Sequence, residues 1–205
     1  MDQPVRLAVL LSGSGRTLQN LIDVIDQGRL NAEIRVVISN TPDAFGLKRA
    51  EQAGIPRHVV PHRDRSHISF NREVFDILSE YDIDLIILAG FLRKIDIPAN
   101  WEGRILNIHP ALLPKYGGKG FYGHRVHQAV IDAGDQESGC TVHVVDDQYD
   151  HGPVLVQKKV PVFPDDSVEE LAERVFQAEC QAYPEAIELW ANQSRKNARD
   201  QRREI

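Results

Sequence analysis

The stretch RLAVLLSGSGRTLQNLIDVIDQG, residues 6–28, decides the fold. An apolar run of strand length (6–11) passes through a glycine turn into a segment with helical spacing of apolar residues (17–28), which Gly28 closes. A dinucleotide fingerprint needs a third glycine after Gly13-x-Gly15, where this chain has Leu18. It also needs an acidic residue closing the next strand, where this chain has Ser39 and Asn40. The Gly-Lys-Ser/Thr of a mononucleotide P-loop is absent too. Two readings stay open. Either the turn bares backbone N–H groups at a helix N-terminus for one phosphate or carboxylate, or it is a tight connection that binds nothing.

The alternation continues outward. EIRVVIS reads as a strand, FGLKRAEQAG as a helix closed by Gly54 and HVV as a short strand; SFNREVFDILSEY is helical by the spacing of Phe70, Val74, Phe75 and Leu78. DLIILAG (84–90) is apolar throughout, as in a strand covered on both faces. This order predicts an α/β, Rossmann-like, mostly parallel twisted sheet with helices on both faces. Ligands in such sheets gather at the carboxyl ends of the strands. GCTVHVV (139–145) and VLVQKKVPV (154–162) flank the turn-rich DDQYDHGP and are expected as an antiparallel edge extension. A final helix begins at Ser167, with Glu170 completing a capping box, and Pro184 is expected to kink it. Residues 1–192 are expected to form a single domain, followed by a charged tail, 193–205.

A chain of 205 residues can bury one continuous core, and its net charge of −6 argues against a general nucleic-acid binder. With no long apolar run and no signal peptide, a cytoplasmic protein without a membrane partner is expected. Cys140 and Cys180 offer no metal spacing and read as packing residues. His58, His62 and His67 sit in a polar connector without supporting carboxylates, so no metal is expected.

NIHPALLPKYGGKGFYGHRVHQAV (107–130) carries the chemistry. It follows a buried strand and breaks into proline and glycine at the strand's polar end. Asn107 and His109, two apart on a strand, point to one side. An amide donor beside an imidazole suits acyl transfer, one stabilising an oxyanion and the other moving a proton or supplying positive charge. A carboxylate to orient the histidine and raise its pKa can come from Asp146, Asp147 or Asp150, and all three stay open on spacing alone. No serine or cysteine nucleophile stands in a suitable setting, so direct attack by a substrate amine is the economical route.

Together, LLSGSGRTLQNLI, ILAGFLRKI, LNIHPALLPKY and DDQYDHGPVLVQKKVPVF resemble the phosphoribosylglycinamide formyltransferase family, collinearly from about Leu7 to about Trp190. The resemblance implies a formyltransferase fold and transfer of a formyl group from 10-formyltetrahydrofolate to the amine of 5-phosphoribosylglycinamide in purine biosynthesis, with no metal. It implies Asn107, His109 and Asp150 as catalytic residues, with Asp150 holding His109 protonated. Gly15, Arg16 and Thr17 are implied at the substrate phosphate, and Glu179 at the glycinamide end. Leu92, Arg93, Lys94 and Ile95 are implied at the folate, with the pterin between them and the loop carrying Asp146 and Asp147. Residues about 1–100 then form the phosphate side and about 101–192 the catalytic and folate side. Partners are small molecules acting on a monomer or homodimer.

Three departures stand out. Arg16-Thr17 replaces the usual Ser-Asn; Thr17 keeps a hydroxyl, and Arg16 can add a charge-assisted bond to phosphate or admit a different anion. His67 stands where the family places an arginine near the folate, and His151 where a second glycine often follows the loop aspartate. His124 lies in a glycine-rich loop longer than the familiar bacterial form, and Gly117, Gly118, Gly120 and Gly123 would make movement of the loop 116–123 easy, with closure over substrate left open. Alternatives are a formyltransferase for another phosphorylated amine or amino sugar nucleotide, formyltetrahydrofolate hydrolase, or a non-enzymatic folate binder. Hydrolase-like chains carry an extra N-terminal domain, and methionyl-tRNA formyltransferases a C-terminal nucleic-acid-binding domain; neither is expected here.

Overall fold

The computed structural model describes residues 3–201. Seven strands form one sheet in the order β3-β2-β1-β4-β5-β6-β7. They are β1 (Val5–Leu11), β2 (Ala32–Ser39), β3 (Arg57–Val59), β4 (Leu85–Leu88), β5 (Ile105–His109), β6 (Glu137–Val144) and β7 (Val154–Pro161). The first five run parallel, while β6 is antiparallel to β5 and β7 to β6. The mostly parallel sheet and its antiparallel edge are therefore as the sequence led us to expect.

Period-2 alternation with both faces covered explains the apolar runs. Leu7, Val9 and Leu11 of β1 pack with Leu18 and Leu21 of α1 (Arg16–Asp26). Their neighbours Ala8 and Leu10 pack on the opposite face with Phe70, Val74 and Leu78 of α3 (His67–Ser79). β4 divides likewise, Leu85 and Ile87 to one face and Ile86 and Leu88 to the other. α2 (Phe45–Gln52), α4 (His124–Asp132) and α5 (Val168–Gln201) contribute to the α1 face.

The capping box forms: Ser167 Oγ accepts from the Glu170 N–H at 3.2 Å, and Glu170 Oε2 accepts from the Ser167 N–H at 2.8 Å. The helix runs unbroken through Pro184. Proline cannot donate to the carbonyl four residues back, and Asn20 Nδ2 satisfies that Cys180 carbonyl instead at 3.0 Å. Of the charged tail, residues 193–201 continue α5, and 202–205 lie outside the described residues. α4 was not foreseen; the glycine-rich break gives way to regular structure at His124. The hydroxyl of Tyr183, in the buried middle of α5, lies 2.9 Å from both the Leu88 and Leu106 carbonyl oxygens, anchoring α5 beside Asn107.

Candidate active site

The strand ends are tied together before any ligand enters. Ser12 Oγ donates to Asn40 Oδ1 at 2.6 Å and accepts from the Leu92 N–H at 2.9 Å, linking the ends of β1, β2 and β4. Gly15 holds a left-handed φ of 69° at the start of α1. A Cβ there would lie 2.4 Å from the Gly46 Cα, so the turn is glycine both for its conformation and for the close approach of α2.

A cleft of about 640 Å³ opens along this edge. It gathers Arg16, Thr17, Leu92, Arg93, Lys94, Ile95, Asn107, His109, Asp146, Asp150 and Glu179, all singled out from the sequence. Gly15 and the exposed Asp147 lie outside its wall, and His67 turns instead to Asp96, with Nε2 2.9 Å from Oδ1. His124 reaches the cleft with its side chain 68% exposed. His151 pairs with Asp146 at 2.8 Å and so ties the ends of the loop that carries Asp150.

Asn107 and His109 converge on one carboxylate. Asn107 Nδ2 donates to Asp150 Oδ1 at 3.3 Å, while His109 Nδ1 lies 3.4 Å from Oδ2. Asp150 also accepts from the Gly118 N–H at 2.9 Å, and its own backbone sits at φ 52°. Burial pushes this carboxyl up, and the Gly118 N–H that donates to it pulls it down. Asp150 is thus the member of the aspartate loop that meets the histidine.

His109 departs from expectation. Burial lowers its pKa, and the opposing influences of Asp150 and the Tyr116 carbonyl do not restore it. The carboxylate therefore does not hold the ring protonated in the free site, and it is the Tyr116 carbonyl that orients it. His109 Nε2 donates to the Tyr116 carbonyl at 2.7 Å, which fixes the proton on that nitrogen in the neutral ring.

Several residues of the site escaped the sequence reading. His143 lies across from Asn107 in the β5–β6 register, fully buried, with Nε2 3.1 Å from Asn107 Nδ2. Its Nδ1 donates to the Val144 carbonyl at 3.0 Å, leaving Nε2 as an acceptor for the asparagine amide. A histidine inside an alternating apolar strand was the available signal, but its opposition to Asn107 needed the register. Phe176, also missed, lies 3.8 Å beneath the Arg16 guanidinium, whose Nη2 meets Glu173 Oε2 at 2.5 Å. Both partners sit on α5. Glu179, farther along that helix, is pushed up to about 7 by burial against the opposing pull of Arg16.

His127 of α4 is 4% exposed, lines the cleft, and leaves Nδ1 without a hydrogen-bond partner. Burial, then His124 and His109, push its pKa down to about 4 from 6.5. The unfolded chain therefore binds the extra proton between about pH 6.5 and 4, and stability falls as pH drops through that window. We expect roughly 3 kcal/mol of acid destabilisation from this residue. Denaturant unfolding of wild type and His127→Leu across that range checks it, and equal slopes in the two proteins would refute it.

A family model described as formyl transferase matches residues 5–187. The phosphoribosylglycinamide formyltransferase of Haemophilus influenzae is 43% identical over 201 residues, covering 95% of this chain and 91% of that protein. The trifunctional purine biosynthetic protein adenosine-3 of Drosophila melanogaster is 44% identical over 196 residues. That match covers 91% of this chain but 14% of the longer protein. The solved phosphoribosylglycinamide formyltransferase of Coxiella burnetii superposes with a TM-score of 0.83 at 42% identity, covering 92% of this chain and 86% of that one. With the matched span running from the first residue of β1 into α5, this chain belongs to the formyl transferase family.

Proposed function

We propose that this protein transfers the formyl group of 10-formyltetrahydrofolate to the amine of 5-phosphoribosylglycinamide. The observation that carries the reading is the convergence of Asn107 and His109 on Asp150 in a cleft that reaches the β1–α1 turn and the 92–95 segment. Arg16 and Thr17 face the cleft and, with the Gly15 turn, take the phosphate through a helix N-terminus and a guanidinium. Glu179, with its raised pKa, takes the glycinamide end.

The folate side fits its ligand. Leu92, Ile95 and Val145 give the cleft an apolar wall suited to a flat ring, and Leu92 stays 57% exposed there. Arg93, Lys94 and Asp146 supply polar contacts beside that wall, with Asp147 at its margin. When bound, the folate supplies the formyl group.

The chain's own residues then do three things. Asn107 presents its amide donors where charge develops on the formyl oxygen; the 3.3 Å contact to Asp150 is the longer of its two bonds and the one this oxygen displaces. As the amine nitrogen bonds to the formyl carbon and the bond from that carbon to the folate nitrogen breaks, one amine proton passes to the leaving nitrogen, with His109, neutral at rest, carrying it at Nδ1 and so turning transiently positive. Asp150 stabilises that charge from the Nδ1 side. The partners are small molecules, and we place the enzyme in the cytoplasm as a monomer or homodimer.

Release of tetrahydrofolate that depends on the ribonucleotide supports this function. Release without it points to a hydrolase, and release only with another phosphorylated amine reassigns the acceptor. Arg16→Ala is expected to raise KM for the ribonucleotide about 10- to 100-fold, the usual loss for a charge-assisted hydrogen bond. Steady-state kinetics with the ribonucleotide varied reads this directly, and an unchanged KM removes Arg16 from the phosphate site.

A further inference from the structure

The Tyr116 carbonyl that orients His109 is itself held from outside the cleft. Tyr116 sits at φ 57°, a left-handed conformation that a tyrosine rarely adopts and that persists only where the surroundings hold it. The hold comes from the turn between α4 and β6. There the Tyr116 hydroxyl donates to Asp135 Oδ2 at 2.8 Å, and Lys115 Nζ donates to both oxygens of the same carboxylate at 2.7 and 2.5 Å. The Asp135 side chain is only 20% exposed, and its two partners hold its carboxyl below the usual carboxylate range, so it is a charged acceptor at neutral pH. Lys115, Tyr116 and Asp135 all lie outside the cleft wall.

The segment that Asp135 grips meets both members of the catalytic pair. The Tyr116 carbonyl accepts from His109 Nε2 at 2.7 Å. The Gly118 N–H donates at 2.9 Å to Asp150 Oδ2, the oxygen that faces His109 Nδ1. One short stretch thus keeps a proton on Nε2, leaves Nδ1 open to carry the transferred proton, and sets the carboxylate beside it.

We propose that Asp135 is a positioning residue for formyl transfer: by gripping the Tyr116 hydroxyl it aims the Tyr116 carbonyl at His109 and so selects the tautomer whose Nδ1 takes the proton. The inference rests on the function proposed above and adds to it a residue that does not line the cleft.

Three variants test it. Asp135→Ala and Tyr116→Phe each break the tether and are expected to lower kcat about tenfold, the scale of one hydrogen bond. KM for the ribonucleotide and for 10-formyltetrahydrofolate is expected to stay within about twofold. Asp135→Asn keeps an oxygen to accept from the hydroxyl and is expected to recover most of the loss. Nitrogen-15 spectra of histidine-labelled protein, with the His109 signals assigned by their loss in His109→Ala, read the tautomer without turnover. Wild type is expected to carry the proton on Nε2 near neutral pH, and the two broken-tether variants to show a mixture. The acid limb of kcat/KM is expected to move to lower pH in those variants, because the Tyr116 carbonyl raises the His109 pKa while Asp150, His143 and His127 around the ring are unaltered.

Wild-type kcat in both broken-tether variants overturns the proposal. So does a lowered kcat with the Nε2 proton undisturbed, since that marks a purely structural role. If Asp135→Ala fails to fold, Tyr116→Phe, which removes a single oxygen, decides the matter. If wild type shows no ribonucleotide-dependent turnover, the formyl-transfer reading falls, and the spectra still decide whether Asp135 sets the tautomer. If wild type turns over and the spectra of the variants match it, this inference alone falls.

Discussion

Replacing Asn107 or His109 with alanine is expected to lower turnover about 100- to 1000-fold, the usual loss when a preorganised donor to a developing oxyanion, here Asn107, or a positioned proton carrier, here His109, is removed. The two side chains leave the same strand, β5, two residues apart, and meet the two oxygens of Asp150 at 3.3 and 3.4 Å. Their positions are set by the sheet and by His143 across the register, so alanine removes chemistry while leaving the backbone path intact. The loss should therefore fall on kcat, with KM for the ribonucleotide moving far less. The double variant should cost little more than the worse single one, because groups acting on one reacting centre are not additive. Steady-state kinetics on the three variants measures this. Turnover within about threefold of wild type in either single variant removes that residue from the chemistry.

Gly152→Ala is expected to damage both folding and catalysis although Gly152 does not line the cleft. A Cβ at this position would sit 1.8 Å from the Val144 carbonyl oxygen, a backbone atom that must then move. That carbonyl accepts the His143 Nδ1 proton at 3.0 Å, which leaves His143 Nε2 free to accept from Asn107. The next residue bonds the same strand end, with the Pro153 carbonyl accepting from the Val144 N–H at 2.9 Å. A single methyl thus disturbs the chain of bonds that aims the asparagine amide and shifts the loop bearing Asp150. Overpacking of this kind typically costs about 1–3 kcal/mol. A displacement of about 1 Å in a catalytic group typically costs about 100-fold in rate. Thermal unfolding and turnover measured together test this, and a variant with wild-type values in both would show that the loop absorbs the methyl.

The architecture was legible because each buried strand carries its own evidence. β1 and β4 divide their alternate residues between two cores, so an uninterrupted apolar run was the correct signature of a strand covered on both faces. Asn107 and His109 were legible for a similarly local reason, the period of two along β5. What escaped depends on contacts distant in sequence. His143 became part of the site only through an antiparallel register fixed 36 residues away from Asn107, and Phe176 only through the docking of α5 against Arg16. α4 was hidden because the glycines just before it masked where regular structure resumes.

The charge state of His109 shows a different limit. An aspartate beside a histidine suggests a raised pKa, yet desolvation dominates here and reverses the sign. Burial is a property of the whole fold, and no local motif reports it. The glycine turn that opened the question is also clearer now. Gly15 bends at φ 69° and clears Gly46, so its glycine is explained by geometry, and Arg16 and Thr17, which face the cleft, are the residues proposed to take the phosphate.

The central claim, direct transfer of a formyl group from folate to the ribonucleotide amine, is tested most directly with donor labelled with carbon-13 in the formyl group. The label is followed by nuclear magnetic resonance in the presence of purified protein and 5-phosphoribosylglycinamide. Its appearance as an N-formyl carbon on the ribonucleotide, with loss of that signal in the Asn107→Ala protein, is the expected result. Label accumulating as free formate while the ribonucleotide stays unmodified would contradict it.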